Sequence, residues 1–299
     1  MSTKKHSHKK HSKTKKNKTK KYTKKACSPK RNGESLPFTC YTSKSLHKLK
    51  DIWNMRHPDQ HIKSDNPRKI WEELRNLTKN TCSSESCWLR HQCIKNDIDK
   101  NFWDNNFAPL SPKEWRKNPN EWLTTTDIQK VMAQWEYANP NFLFIGPSPI
   151  DYDEHVIFGE CVWEELCKFS LRKYRQKGIN KIGIIFNLDE HTEPGSHWVA
   201  LFIDCLKRKI YYFDSYGDDI PGQIDKFSNE LIHQSENFGE KYEKIISKNR
   251  HQYGNSECGM YCLYFIIQML QGTPHKTFEN IRIPDSKMTK MRKEYFNSQ

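Results

Sequence analysis

Gly254-Asn255-Ser256-Glu257-Cys258-Gly259-Met260-Tyr261-Cys262-Leu263-Tyr264-Phe265-Ile266-Ile267 passes from a loop-forming cluster straight into an apolar run. Gly, Asn and Ser punctuate a turn, and the run beyond them predicts an apolar helix over residues 257 to 271. A helix apolar on every side belongs inside a domain core. Cys258 then stands in its first turn, where unpaired N–H groups and the positive end of the helix dipole favour a thiolate. A single cysteine in such a place is more often a small core hydrophobe than a nucleophile. Its role therefore turns on what else the chain can bring to it. Cys262, one turn on, reads as core filler, and Tyr261, Tyr264 and Phe265 as core packing at helical spacing.

Upstream, residues 242 to 247 look strand-like and 221 to 236 helical. The segments His197 to Asp204 and Lys209 to Asp214 flank a turn-like Cys205-Leu-Lys-Arg208. Pairing about a turn centred between residues 205 and 206 would oppose His197 directly to Asp214. Opposed residues share a face with Cβ atoms about 4.5–5.5 Å apart, so a carboxylate could hold an imidazole by its ring N–H. A one-residue slip would put them on opposite faces. An imidazolium near Cys258 is what a thiol nucleophile requires. Gln252, six residues ahead of Cys258, could offer an amide N–H to a developing oxyanion, with a backbone N–H near Cys258 as second donor.

This order, His197-Trp198, Asp214-Ser215, then Gln252 six residues before Cys258-Gly259, resembles the papain-like thiol proteases of the clan that holds the SUMO proteases and the adenovirus maturation protease. The resemblance covers about residues 120 to 272. It implies Cys258 as nucleophile, His197 as general base, Asp214 as orienter and Gln252 as oxyanion donor. Trp198 would shape a narrow channel for a Gly-Gly tail. Trp122, with Leu123, is similar to the entry of the SUMO-protease domain and would face substrate. The implied fold is α+β, an adenain or SUMO-protease type domain with a central mixed sheet flanked by helices. No metal or organic cofactor is implied. Ser215-Tyr216-Gly217 departs from the family pattern after the Asp-Ser pair.

Ahead of that domain, Ser84-Glu-Ser-Cys-Trp-Leu89 and the helical stretch around it resemble the N-terminal region of thiol proteases encoded by giant DNA viruses. That implies an endopeptidase cleaving after small residues, Gly-Gly-X, in viral structural polyproteins during particle maturation. Its place would be the virion, with host cytoplasm or virus factory, or the nucleus through a basic tail, as alternatives. Ubiquitin-like conjugates are a second substrate class. An acyltransferase of related fold and a catalytically dead binding module are the rival functions.

The rest of the chain divides by composition. Residues 1 to 31 carry thirteen Lys and Arg31 against no acid, which accounts for the whole formal charge of +14. Residues 1 to 42 therefore read as a disordered Lys-rich tail and linker, able to bind nucleic acid nonspecifically through residues 1–31. Residues 43 to 114 read as a helical module: Leu46, Leu49, Ile52 and Trp53 have helical spacing, and Asn66-Pro67 caps a helix predicted over 67 to 79. The catalytic domain takes residues 115 to 299. There Thr126 and Gln129 have capping-box spacing, 142 to 145 and 182 to 188 predict strands, and 161 to 171 a helix. No apolar run suits a membrane span or signal peptide, so the ten cysteines are expected reduced. Cys82, Cys87, His91 and Cys93 do not have a standard zinc spacing.

Overall fold

The structure, a computed structural model, describes residues 26–99 and 101–298. The tail expectation for residues 1 to 25 lies outside them. In the N-terminal part, α1 (Ser43–Arg56) is capped by the Thr42 hydroxyl and α2 (Pro67–Thr78) by the Asn66 side chain, as the Asn-Pro pair predicts. Two short helices follow, α3 (Glu85–Trp88) and α4 (Gln92–Lys95). They enclose a core of Leu46, Leu49, Trp53, Ile70, Trp71, Leu74 and Trp88.

Residues 33 to 42 are not the linker their composition suggested. Cys40 and Tyr41 are buried, and the Glu85 carboxylate accepts from Cys40 N at 3.0 Å and from Trp71 Nε1 at 2.7 Å. Six cysteines are paired as Cys27–Cys40, Cys82–Cys87 and Cys161–Cys167, which corrects the expectation of reduced thiols. Local turns decide proximity, and here they set the paired Cα atoms 5.0, 5.4 and 6.2 Å apart, within bridging range. The Cys82–Cys87 pair also removes two members of the imagined zinc set.

The C-terminal part opens with α5 (Thr125–Ala138). Its capping box is Thr124 with Asp127, two residues ahead of the expected pair, because Asp127 reaches back to the Thr124 N–H at 3.0 Å. Next come β1 (Phe142–Pro149), α6 (Glu164–Cys167), α7 (Leu171–Gln176), β2 (Lys181–Asn187), β3 (Trp198–Asp204), β4 (Lys209–Phe213), α8 (Gly222–Glu236), β5 (Glu243–Ile246), α9 (Cys258–Leu270), α10 (Lys276–Asn280) and α11 (Asp285–Tyr295). β1 runs past Gly146-Pro147 through a shift in register, which an edge strand tolerates because its outer N–H groups need no partner. The helix expected over 161 to 171 is broken into α6 and α7.

Among the described residues five strands form one mixed sheet in sequential order, with β2–β3 and β3–β4 antiparallel and the two edges parallel. Every residue of β3 is buried, since both faces of the sheet are covered. Val199, Leu201 and Ile203 face Ile224, Phe227 and Leu231 of α8. Ala200 and Phe202 face α5 and α9, where Phe213 of β4 stacks on Phe265 at 4.5 Å. This α+β arrangement, helices on both sides of a mixed sheet, is the one the sequence implied.

Two ties bind the N-terminal part to the rest of the described chain. Asn297 accepts from Ala26 N at 2.8 Å and donates to Ala26 O and Ala108 O, each at 2.9 Å. Gln134 of α5 donates to the carbonyls of Asp104 and Phe107. No helix among the described residues is long and apolar enough to cross a membrane.

Candidate active site

His197 is the last residue before β3 and Asp214 the first after β4, so both sit at one end of the central hairpin. The register differs from the expected one. Ala200 opposes Phe213 and Asp204 opposes Lys209, which leaves His197 and Asp214 diagonal instead of directly opposed. The turn is centred between residues 206 and 207. Asp204 Oδ1 accepts from the N–H groups of Leu206 and Lys207, and Arg208 takes a positive φ of 55° to close it. A two-residue slip preserves which face each side chain occupies, and His197 Nε2 still reaches Asp214 Oδ1 at 2.7 Å. The same oxygen accepts from Tyr216 N at 3.0 Å.

Cys258 opens α9, where the apolar face of the helix seats it against β3, and it is 2 % exposed. The side chain of Cys258 lies close enough to His197 to raise its pKa. Since Nε2 is engaged by Asp214, Nδ1 is the ring nitrogen left for the sulfur. Burial disfavours a charged His197, yet its interactions with Asp214 and Cys258 outweigh that and raise its pKa to about 9.

Gln252 is fully buried. Ser215 Oγ donates to its Oε1 at 2.7 Å, which fixes the amide the right way round. Its Nε2 donates to Gly254 O at 2.8 Å and, at 3.4 Å, to the Tyr216 hydroxyl. Trp198 is buried with Nε1 donating to Leu123 O at 3.2 Å. Trp198, Leu123 and the exposed Trp122 line one end of a cleft of about 660 Å³ that also takes in Asn187 and His191. The cleft meets the cysteine through Gly259: a Cβ there would lie 3.1 Å from Leu123 and 3.2 Å from Trp198. All six residues singled out from sequence, Cys258, His197, Asp214, Gln252, Trp198 and Trp122, thus fall at this end of the sheet or along the cleft that leads from it.

Three supporting residues were not read as part of the site. Glu257, beside Cys258, is buried against Arg292 of α11, whose Nε lies 2.9 Å from Glu257 Oε2 and whose Nη1 donates to Glu121 O at 2.8 Å. Nothing in a 35-residue separation signals that pair. Tyr216 stacks on the His197 ring with centroids 4.8 Å apart and planes at 20°. Its place directly after Asp214-Ser215 was the available clue.

Residues 173–299 match the family model described as Ulp1 protease family, C-terminal catalytic domain. A relative from Acanthamoeba polyphaga mimivirus that carries a thiol-protease name is 33% identical over 242 residues, spanning 80% of this chain and 77% of its own. A cysteine protease of African swine fever virus is 27% identical over 249 residues, 77% of this chain and 89% of its own. The crystal structure of an African swine fever virus protease superposes with a TM-score of 0.64 at 20% identity, covering 92% of this chain and 96% of the other.

Proposed function

The chain belongs to the Ulp1 family of cysteine proteases, and from that premise we propose that Cys258, His197 and Asp214 are its catalytic triad and that it cleaves after Gly-Gly in viral structural polyproteins. The observation that carries the triad is His197 held by the Asp214 carboxylate at 2.7 Å and interacting with Cys258 at the start of α9. The Cys258 thiolate attacks the scissile carbonyl carbon, and the oxyanion so formed takes an N–H from Gln252. The His197 imidazolium gives its proton to the departing amine, leaving a thioester. Water then attacks the thioester while His197 takes a proton back, and the acid product leaves.

A preference for glycine next to the cut is supported by the tight packing of Trp198 and Leu123 beside Cys258, where a Cβ at Gly259 would lie 3.1 Å from Leu123 and 3.2 Å from Trp198. A second reading, release of ubiquitin-like modifiers, is favoured by an African swine fever virus relative named a SUMO-1 cysteine protease. Wild type and Cys258→Ala, incubated with Gly-Gly-X peptides and with SUMO and ubiquitin precursors, separate the two by mass spectrometry of the products. Cleavage of short peptides by wild type alone supports polyprotein processing. Cleavage of folded precursors alone supports the second reading, and no Cys258-dependent cleavage of either defeats both.

We further propose that the Lys-rich tail binds nucleic acid and brings the enzyme to particle-associated substrates. Deleting residues 1–25 leaves the packed segment from Ala26 onward in place. Unchanged affinity for a DNA duplex at low salt after that deletion would end this proposal.

A further inference from the structure

We infer that Tyr216 is the positioning residue that couples the base to the oxyanion donor, holding the His197 ring with its face and the Gln252 amide with its hydroxyl. The inference rests on the protease reading of the site. Four contacts converge on this one side chain and its backbone. The ring lies against the imidazole at 4.8 Å, and the backbone N–H donates to the Asp214 oxygen that holds His197. The hydroxyl donates to Gly254 O at 3.1 Å and receives the Gln252 amide at 3.4 Å.

The backbone around Tyr216 is confined. Gly217 adopts a φ of 78°, and a Cβ there would sit 2.7 Å from Lys248 O, so the chain is pressed against the loop that leads to Gln252. From that loop Arg250 places its guanidinium 5.4 Å from the Tyr216 ring and donates from Nε to Gln252 O at 3.1 Å. Ring and loop thus define each other's position.

The chemistry explains why such a coupling matters. During turnover the His197 ring must point one nitrogen at sulfur and leaving amine while the other stays on Asp214, and rotation of the ring loses both. A flat aromatic face against the imidazole removes that freedom and favours its cationic form. Of the two Gln252 N–H groups, one is committed to Gly254 O at 2.8 Å, and the other rests at 3.4 Å from the Tyr216 hydroxyl. That weakly held N–H is the one free to turn to an oxyanion. The hydroxyl keeps Gly254 O in place while it does so.

The test compares full-length wild type, Tyr216→Phe, Tyr216→Ala and Cys258→Ala in two assays: steady-state cleavage of the best peptide, and the rate at which iodoacetamide alkylates Cys258. Alkylation uses the thiolate but develops no oxyanion. Tyr216→Phe keeps the stacked ring, so it should lower kcat about 5–10-fold, leave KM within about twofold and alkylate at the wild-type rate. Tyr216→Ala should lower kcat about 50-fold or more and also slow alkylation several-fold, with the phenylalanine variant rescuing the second effect. Wild-type kcat in folded Tyr216→Phe and Tyr216→Ala, a change confined to KM, or alkylation slowed equally in both would overturn the inference. A wild type that alkylates at Cys258 yet cleaves nothing would defeat the protease reading instead. In that event the alkylation rates of the two variants still decide whether the ring holds His197.

Discussion

His197 Nε2 lies 2.7 Å from Asp214 Oδ1 although the two residues stand two positions out of register across the β3–β4 hairpin. Both are just outside the paired strands, where side chains can lean along the sheet, so a diagonal pair closes as well as an opposed one. The carboxylate is fixed by the Tyr216 N–H and buried, and it supplies charge as well as orientation. Asp214→Asn keeps the shape and removes the charge. His197 should then lose much of its raised pKa, and kcat should fall by about 10²–10⁴, as removal of the orienting carboxylate does in triads generally. A pH titration of the His197 ring by NMR, alongside kcat, checks both halves.

Two histidines act on the pH range of stability in opposite senses, and His275, whose pKa burial also lowers, acts with the first. His251 is buried and kept neutral. Burial, reinforced by Arg282, lowers its pKa to about 4, and its Nδ1 accepts from Ile283 N at 3.1 Å. Unfolded histidine titrates near 6.5, so the unfolded chain takes up this proton first and stability falls as pH drops from about 6.5 toward 4. His197 has the reverse sign. Its raised pKa contributes stability that is full below about 6.5 and is lost as pH rises through about 9. Urea midpoints measured from about pH 4.5 to 9 should therefore peak near pH 6.5. His251→Asn should make the acid side shallower without changing the alkaline side, and His197→Ala the reverse.

Arg292 and Glu257 form an ion pair with side chains only 4% and 5% exposed. Removing one member leaves the other charged without a partner, so Arg292→Met should cost about 3–5 kcal/mol. The double variant Glu257→Gln, Arg292→Met removes both charges and should regain most of that loss. Thermal melts of the three proteins read the difference directly. If the single variant melts within about 2 °C of wild type, the pair is not what anchors α11.

Gly259→Ala puts a methyl group against Leu123 and Trp198, both buried. Overpacking of this size costs about 1–3 kcal/mol. Because Trp198 also walls the cleft, the same variant should raise KM for Gly-Gly peptides more than it lowers kcat. Equal KM values with normal stability would show that the tryptophan has room to move.

The sheet, and the placing of Cys258, His197 and Asp214 at one end of it, were legible because strong local signals mark them. An apolar helix behind a Gly-Asn-Ser loop, and two β-rich segments around a short turn, fix both the elements and the end of the sheet where Cys258, His197 and Asp214 meet. What failed was bookkeeping that depends on single turns. The hairpin slipped by two because Asp204 and Arg208 shape a four-residue turn, and the α5 cap moved because Asp127 outcompetes Gln129 for the helix start. The segment from residue 33 to 42 looked like a linker by composition, yet Cys40 and Tyr41 are buried by partners far along the chain. Arg292 was invisible for the same reason: its value comes from a glutamate 35 residues away and a carbonyl at position 121.

The Arg292 clamp also bears on the order in which the site is made. A ribosome delivers the hairpin with His197 and Asp214 first, then the helix that starts at Cys258, and only later the residues of α11. Until Arg292 arrives, Glu257 has no counter-charge and the first turn of α9 lacks the tie that runs through Glu121 to the cleft wall. Asn297, later still, joins this region to Ala26 and Ala108. The nascent chain thus carries Cys258, His197 and Asp214 before it has the helix whose Arg292 pairs with Glu257 at the start of α9.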